Sequence, residues 1–266
     1  MSPFALNKAL SPLFTSRWTD LARSRLDGDA RAGLGRPVAA PRLGIFPAGT
    51  GPVRVGGVTV AQPDSVTCAA TGLLLLNASC DPALAAWLAD GVRPDPVPPE
   101  LAGLSGAELA EPDASRRIAL AAAAVHDRAT RATLGPFRWP RAYGTTPWGV
   151  AREARVPGVR YRHRAVDDRD ELLMDEVLGM LVVATLQGIP VPIYSGGDWA
   201  GGWQTAMPRH LVLALPTARP DRMRIYEPGR GRIETMAPHE LRARTSPHRA
   251  LGGWTHLAWV LIPIVR

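Results

Sequence analysis

The sequence predicts an α+β fold, and three observations carry that expectation. Helical periodicity dominates the chain up to about residue 186. Strand-like runs crowd the part that follows Gly188. No regular alternation of strand and helix, the mark of a parallel βαβ sheet, links the two parts. At 266 residues, with 46% hydrophobic and 21% charged residues, the chain has the composition of a folded protein with a sizeable core. The expected organisation is an N-terminal extension over 1–57 and one main domain over 58–266, with an insertion around 91–136.

Residues 4–26 read as an amphipathic helix, because Leu6, Leu10, Phe14, Trp18 and Leu21 recur at spacings of four and three. Residues 27–57 are rich in Gly, Pro and Arg and read as loop, with one strand in Val53–Val60. From Cys68 to Ala89 the pattern gives one or two helices. The run Leu73 to Leu76 is too apolar for a surface helix, so the first must be buried. Asp81-Pro82 is an N-cap followed by a proline at the first helical position. Pro94, Pro96, Pro98 and Pro99 mark a loop, and 106–133 returns to helix. Thr146-Pro147 opens a helix to Arg155, and Val159–Ala165 alternates as a strand. A helix follows the acidic run from Asp167, ends at Gly188, and gives way to a strand over Ile189–Tyr194. Then come strands at His210–Leu215, Met223–Glu227, Arg232–Thr235 and Leu257–Ile264, with a short helix at Pro238–Arg244.

The net charge is +7 and the isoelectric point near 10.3. Lys8 is the only lysine, and the arginines are scattered, not clustered with aromatics on one element. A GC-rich coding sequence accounts for that composition, and no nucleic-acid partner is expected. The two cysteines, Cys68 and Cys80, lie up to roughly 18 Å apart along a helix, too far for a disulfide. Reduced thiols, no recognisable signal peptide, and no apolar run of the roughly 18 residues a membrane span needs lead to the expectation of a cytoplasmic protein without stable membrane insertion, with leaderless secretion as the alternative. His239, His248 and His256 lack cysteine or carboxylate partners at metal-ligand spacing, so no metal or other cofactor is expected.

The chemistry centres on Cys68. It stands where the polar turn Gln62-Pro63-Asp64-Ser65 becomes an apolar helix, and Gln62 precedes it by six residues. A helix N-terminus and a nearby imidazolium both lower a thiol pKa. The strand histidine His210 supplies the imidazole. A hairpin centred on Pro216–Asp221 pairs Leu215 with Arg222 and Leu213 with Arg224, and the same register sets His210 opposite Glu227. Opposed residues share a face with Cβ atoms about 4.5–5.5 Å apart, close enough for a carboxylate to fix the tautomer and orientation of the ring. Taken singly, each of these side chains is an ordinary core or turn residue; their order and the pairing make the constellation. The loop Ser195-Gly196-Gly197-Asp198-Trp199-Ala200-Gly201-Gly202-Trp203 leads into the histidine strand. Asp198, Trp199 and Trp203 are therefore expected to line a substrate site.

This pattern resembles the papain-like cysteine peptidases, and within them the bacterial double-glycine leader peptidase group. The resemblance rests on Gln62 and Cys68 at their spacing, on His210-Leu211-Val212-Leu213-Ala214-Leu215, on Ile225-Tyr226-Glu227-Pro228-Gly229, and on Gly188 to Val191. It covers roughly residues 58–265, with a poor match over 91–136. It departs from the leader peptidases at Ala69, where they carry glycine, and at Glu227, where they carry aspartate; Asp198 and Asp221 are alternative orienting acids. The resemblance implies a papain-like fold, a central helix headed by the nucleophile and packed on an antiparallel sheet. It implies thiol-dependent hydrolysis of a peptide or protein substrate through a thioester, with Cys68 attacking, His210 moving protons, Glu227 orienting His210 and Gln62 lining the oxyanion hole. A deamidase or acyl transferase built on the same residues, and a catalytically inactive binding module, are the alternatives.

Overall fold

The computed structural model describes residues 44–133, 135–196, 210–242 and 244–265. The helix expected over 4–26, and Asp198, Trp199 and Trp203, lie outside the described residues. The architecture is mixed α+β around a seven-stranded sheet, antiparallel at every pairing. The strands are β1 (Gly51–Pro52), β2 (Arg54–Val55), β3 (Val58–Thr59), β4 (Val159–Ala165), β5 (Val191–Gly196), β6 (His210–Leu215), β7 (Met223–Glu227), β8 (Arg232–Met236) and β9 (His256–Val265). The large sheet runs β1-β8-β7-β6-β5-β9-β4, and β2 with β3 forms a separate small hairpin. The single strand expected over Val53–Val60 is thus two short strands, because Gly56 and Gly57 take positive φ and reverse the chain between them.

The helices are α1 (Cys68–Ala78), α2 (Pro82–Asp90), α3 (Gly106–Leu109), α4 (Ala114–Thr130), α5 (Pro147–Glu153) and α6 (Glu171–Leu186). Every residue of α1 is buried, as its unbroken apolar run requires. It packs between α4 and strand β6. Gly72 permits the close approach to the sheet: a Cβ there would sit 2.6 Å from Leu211 Cδ2. Asp81 caps α2 by accepting from the N–H groups of Ala83 and Leu84, with Pro82 at the first helical position.

The helix expected over 106–133 is broken in two. Pro112 has no N–H and disfavours helical backbone at Glu111, so α3 stops at Leu109 and Asp113 restarts the helix by capping Arg116 N at 2.8 Å. The helix expected over Pro238–Arg244 is only a 3-10 turn, Pro238–Leu241.

Two polar devices hold the layers in register. At the C-terminal end of α1, Asn77 Nδ2 donates to Glu100 Oε1 at 2.7 Å, and Arg155 donates to both oxygens of Glu100 at 2.8 and 2.6 Å. At the other side of the molecule, Phe46 packs on Tyr226 with ring centroids 5.8 Å apart, and Tyr226 Oη donates to Val60 O at 2.8 Å. The chain from Phe46 to Val60 is thereby fixed to the strand that ends in Glu227. No single helix among the described residues is long and apolar enough to cross a membrane.

Candidate functional site

The β6–β7 hairpin brings His210 and Glu227 together in a different register from the one expected. Leu213 pairs with Tyr226, Ala214 with Ile225 and Leu215 with Arg224, a shift of two residues. Arg222 stays in the connecting turn, where its N–H donates to Arg219 O, and β7 begins only at Met223. A shift of one residue would have put the two side chains on opposite faces; a shift of two keeps them on the same face. Glu227 now lies diagonal to His210, where side chains are separated by about 7–8 Å instead of 4.5–5.5 Å. The longer glutamate side chain spans that diagonal: His210 Nε2 donates to Glu227 Oε1 at 2.6 Å.

Glu227 is 1% exposed and carries four hydrogen bonds. Besides His210, Oε1 accepts from Gly229 N at 2.6 Å, and Oε2 accepts from Arg230 N at 2.9 Å and Arg230 Nε at 3.1 Å. Burial alone would push its pKa up, but the bonds from His210, Gly229 and Arg230 outweigh burial and hold it below the usual glutamate value. Arg230 Nη2 also donates to Arg249 O, which opens the 3-10 turn Arg249–Leu251. That turn ends at Gly252, whose φ is +69° and whose missing side chain is essential to the site. A Cβ there would stand 2.3 Å from His210 Cδ2 and 2.6 Å from His210 Nε2. Ser195 Oγ ties the same turn to β5, donating to Leu251 O at 2.9 Å.

With Nε2 engaged by Glu227, Nδ1 of His210 is the nitrogen left for the sulfur. His210 hydrogen-bonds the Cys68 side chain, and the N–H groups of Leu211 and Ala69 also donate to the sulfur. Cys68 is 4% exposed; burial raises its pKa, yet these donors and the imidazolium charge bring it below the ordinary thiol value. His210 is buried too, which disfavours its cation, but the bonds to Cys68 and Glu227 raise its pKa to about 9. The two shifts run in the directions that favour a protonated ring beside an ionised sulfur, and they belong to a coupled pair. Cys80, at the opposite end of α1, behaves in the ordinary way: burial pushes its pKa up. Neither cysteine forms a disulfide among the described residues. Tyr194 is within the electrostatic reach of Cys68, and its phenol, raised by burial and by that sulfur, donates to Thr145 O at 2.8 Å.

The remaining expected residues divide. Gln62 N donates to Pro228 O at 2.8 Å, beside Glu227. Its side-chain Nε2 donates to Asp64 O at 2.6 Å, and its Oε1 is buried without a hydrogen-bond partner among the described residues. Asp221 is no orienting acid: it forms an exposed pair with Arg219 at 2.7 Å in the turn between β6 and β7, away from the ring. Two further residues, Arg230 and Gly252, belong to the site without having been expected from the sequence. Arg230 was accessible in principle, since a carboxylate followed by Pro-Gly-Arg offers a turn with a cation three residues on. Gly252 belongs to a Gly-Gly doublet whose contact with His210 depends on tertiary packing alone. Comparison with family models, with curated proteins and with solved structures returned no match for this chain.

Proposed function

We propose that the protein is a thiol-dependent hydrolase of peptide or amide bonds. The observation that carries this reading is the buried relay from Cys68 through His210 to Glu227, set at the N-terminus of a fully buried helix. The papain-like character of the fold belongs to the same proposal, supported by the Cys-headed central helix against an antiparallel sheet.

In this mechanism the Cys68 sulfur attacks the substrate carbonyl carbon, and the carbonyl π electrons move to oxygen. Gln62 Nε2 has two hydrogens; one is held by Asp64 O and the other is offered to the oxyanion. The C–N bond then breaks as His210 gives its proton to the departing amine, leaving a thioester. Water attacks the thioester with His210 as base, the C–S bond breaks, and the sulfur leaves as thiolate beside a ring that is again protonated. Glu227 accepts from the ring throughout and keeps the proton-carrying nitrogen aimed at the sulfur.

Turnover should therefore follow a bell-shaped pH profile. The acid limb reports Cys68, below the ordinary thiol value. The alkaline limb falls near pH 9, where His210 loses the proton that the leaving amine needs. The test is incubation of the full chain with a mixed peptide pool, read by mass spectrometry. Cleaved products together with an acyl adduct on Cys68, both absent in Cys68→Ala, support the reading. Products that persist in Cys68→Ala overturn it, and release of ammonia without chain cleavage would reassign the site to deamidation.

A further inference from the structure

We infer that Arg230 is a positioning residue that sets the ionisation of Cys68 without touching it. The inference rests on the thiolate reading above. Arg230 makes two connections at once. Its Nε and main-chain N–H bind the same oxygen of Glu227, at 3.1 and 2.9 Å. Its Nη2 binds Arg249 O, at the head of the turn that places Gly252 under the imidazole. His210 is held by a carboxylate on one edge and by a backbone surface against its ring, and Arg230 is the side chain that joins these two supports. Guanidinium geometry suits the task, because its fork presents separate donors to two acceptors, whereas a lysine ammonium presents a single point charge.

Two consequences act in the same direction. Loss of the guanidinium removes a cation from the neighbourhood, which raises the pKa of every nearby acid. It also frees both supports of the ring, so the imidazolium spends less time bonded to the sulfur and the thiolate loses its stabilising partner. Both effects raise the pKa of Cys68. Arg230 is 38% exposed at its side chain, so the electrostatic part is partly screened by solvent, and the geometric part dominates.

The test is the rate of iodoacetamide alkylation at Cys68 as a function of pH, read peptide by peptide, with Cys80 in the same chain as the reference thiol. In Arg230→Gln the acid limb of Cys68 should move up by roughly half a pH unit or more, about a threefold loss of rate at any pH well below the midpoint of that limb. Arg230→Lys, which keeps the charge and loses the fork, should fall between that variant and the wild type. An acid limb in Arg230→Gln that superimposes on the wild-type limb overturns the inference while leaving the thiolate reading intact. If Arg230→Gln does not fold, a wild-type limb in Arg230→Lys overturns it equally. A wild-type Cys68 that titrates with Cys80 overturns the thiolate reading itself, and this inference with it.

Discussion

His210→Ala is expected to slow iodoacetamide alkylation of Cys68 below neutral pH by about tenfold or more, the roughly one to three pKa units an adjacent opposite charge is worth, while leaving Cys80 unchanged. The reason lies in the balance of forces on the sulfur. Burial opposes ionisation of Cys68, and the bond and charge of His210 are the leading forces that overcome it. Without the imidazole, the N–H groups of Leu211 and Ala69 remain but no cation faces the sulfur. The thiol then returns to at least its ordinary pKa near 8.5, where only roughly 0.3% is thiolate at pH 6. The imidazole is 8% exposed, so its removal also leaves a small cavity lined by Gly252 and Glu227. Some loss of thermal stability accompanies the loss of reactivity. Reactivity per cysteine, measured on the folded protein, separates the two effects. An alkylation rate at Cys68 within threefold of wild type would remove His210 from the proposed mechanism.

Glu227→Ala is the second large effect, and it is expected chiefly as instability. The carboxylate satisfies four donors: His210 Nε2, the N–H groups of Gly229 and Arg230, and Arg230 Nε. Truncation strands two cations and two main-chain donors around an almost fully buried position. Removing one partner of such a pair costs about 3–5 kcal/mol, which for a domain of this size lowers Tm by roughly 6–20 °C at 2–4 °C per kcal/mol. Glu227→Asp is the sharper variant. It keeps the charge but shortens the side chain by a methylene, and the diagonal register leaves no slack for that. We expect Glu227→Asp to lower the pKa of His210 from about 9 by weakening its second largest support, the Glu227 bond, while the bond to Cys68 remains, as read by NMR titration of the imidazole. A histidine that still titrates near 9 in Glu227→Asp would contradict the diagonal explanation for the glutamate.

Much of this architecture was legible in the sequence because local rules dominate it. The turn chemistry at Asp81-Pro82 and Thr146-Pro147 produced the capped helices α2 and α5 as expected. Strand β4 has the expected bounds, Val159–Ala165, because its neighbours in sequence stop it cleanly. The hairpin was legible only modulo two. Alternation fixes which face each side chain occupies, and the placement of His210 and Glu227 on one face survived the shift for that reason. The position of the turn within Pro216–Arg222 is not fixed by alternation, and there tertiary contacts decide: Thr217 N donates to Thr185 O at the end of α6. The same register gives the length of Glu227 its role: the glutamate side chain is what reaches the ring across the diagonal. The contact of Arg230 with Glu227 is local, but its second contact and that of Gly252 are set by folding: Arg249 lies nineteen residues beyond Arg230, and His210 lies far upstream of Gly252. The break between α3 and α4 was legible in Pro112, and the alanine-rich run beyond it obscured the signal.

The central claim is that Cys68 rests as a thiolate paired with the His210 imidazolium. The most direct measurement is the pH dependence of iodoacetamide alkylation from pH 4 to 10, followed separately at Cys68 and Cys80 in the wild-type protein by mass spectrometry. The account predicts that Cys68, whose pKa the imidazolium lowers, reaches its full reactivity at a lower pH than an ordinary thiol, and that Cys80, whose pKa burial raises, rises only at higher pH than Cys68. Parallel profiles for the two cysteines, both rising only in alkaline solution, would contradict it.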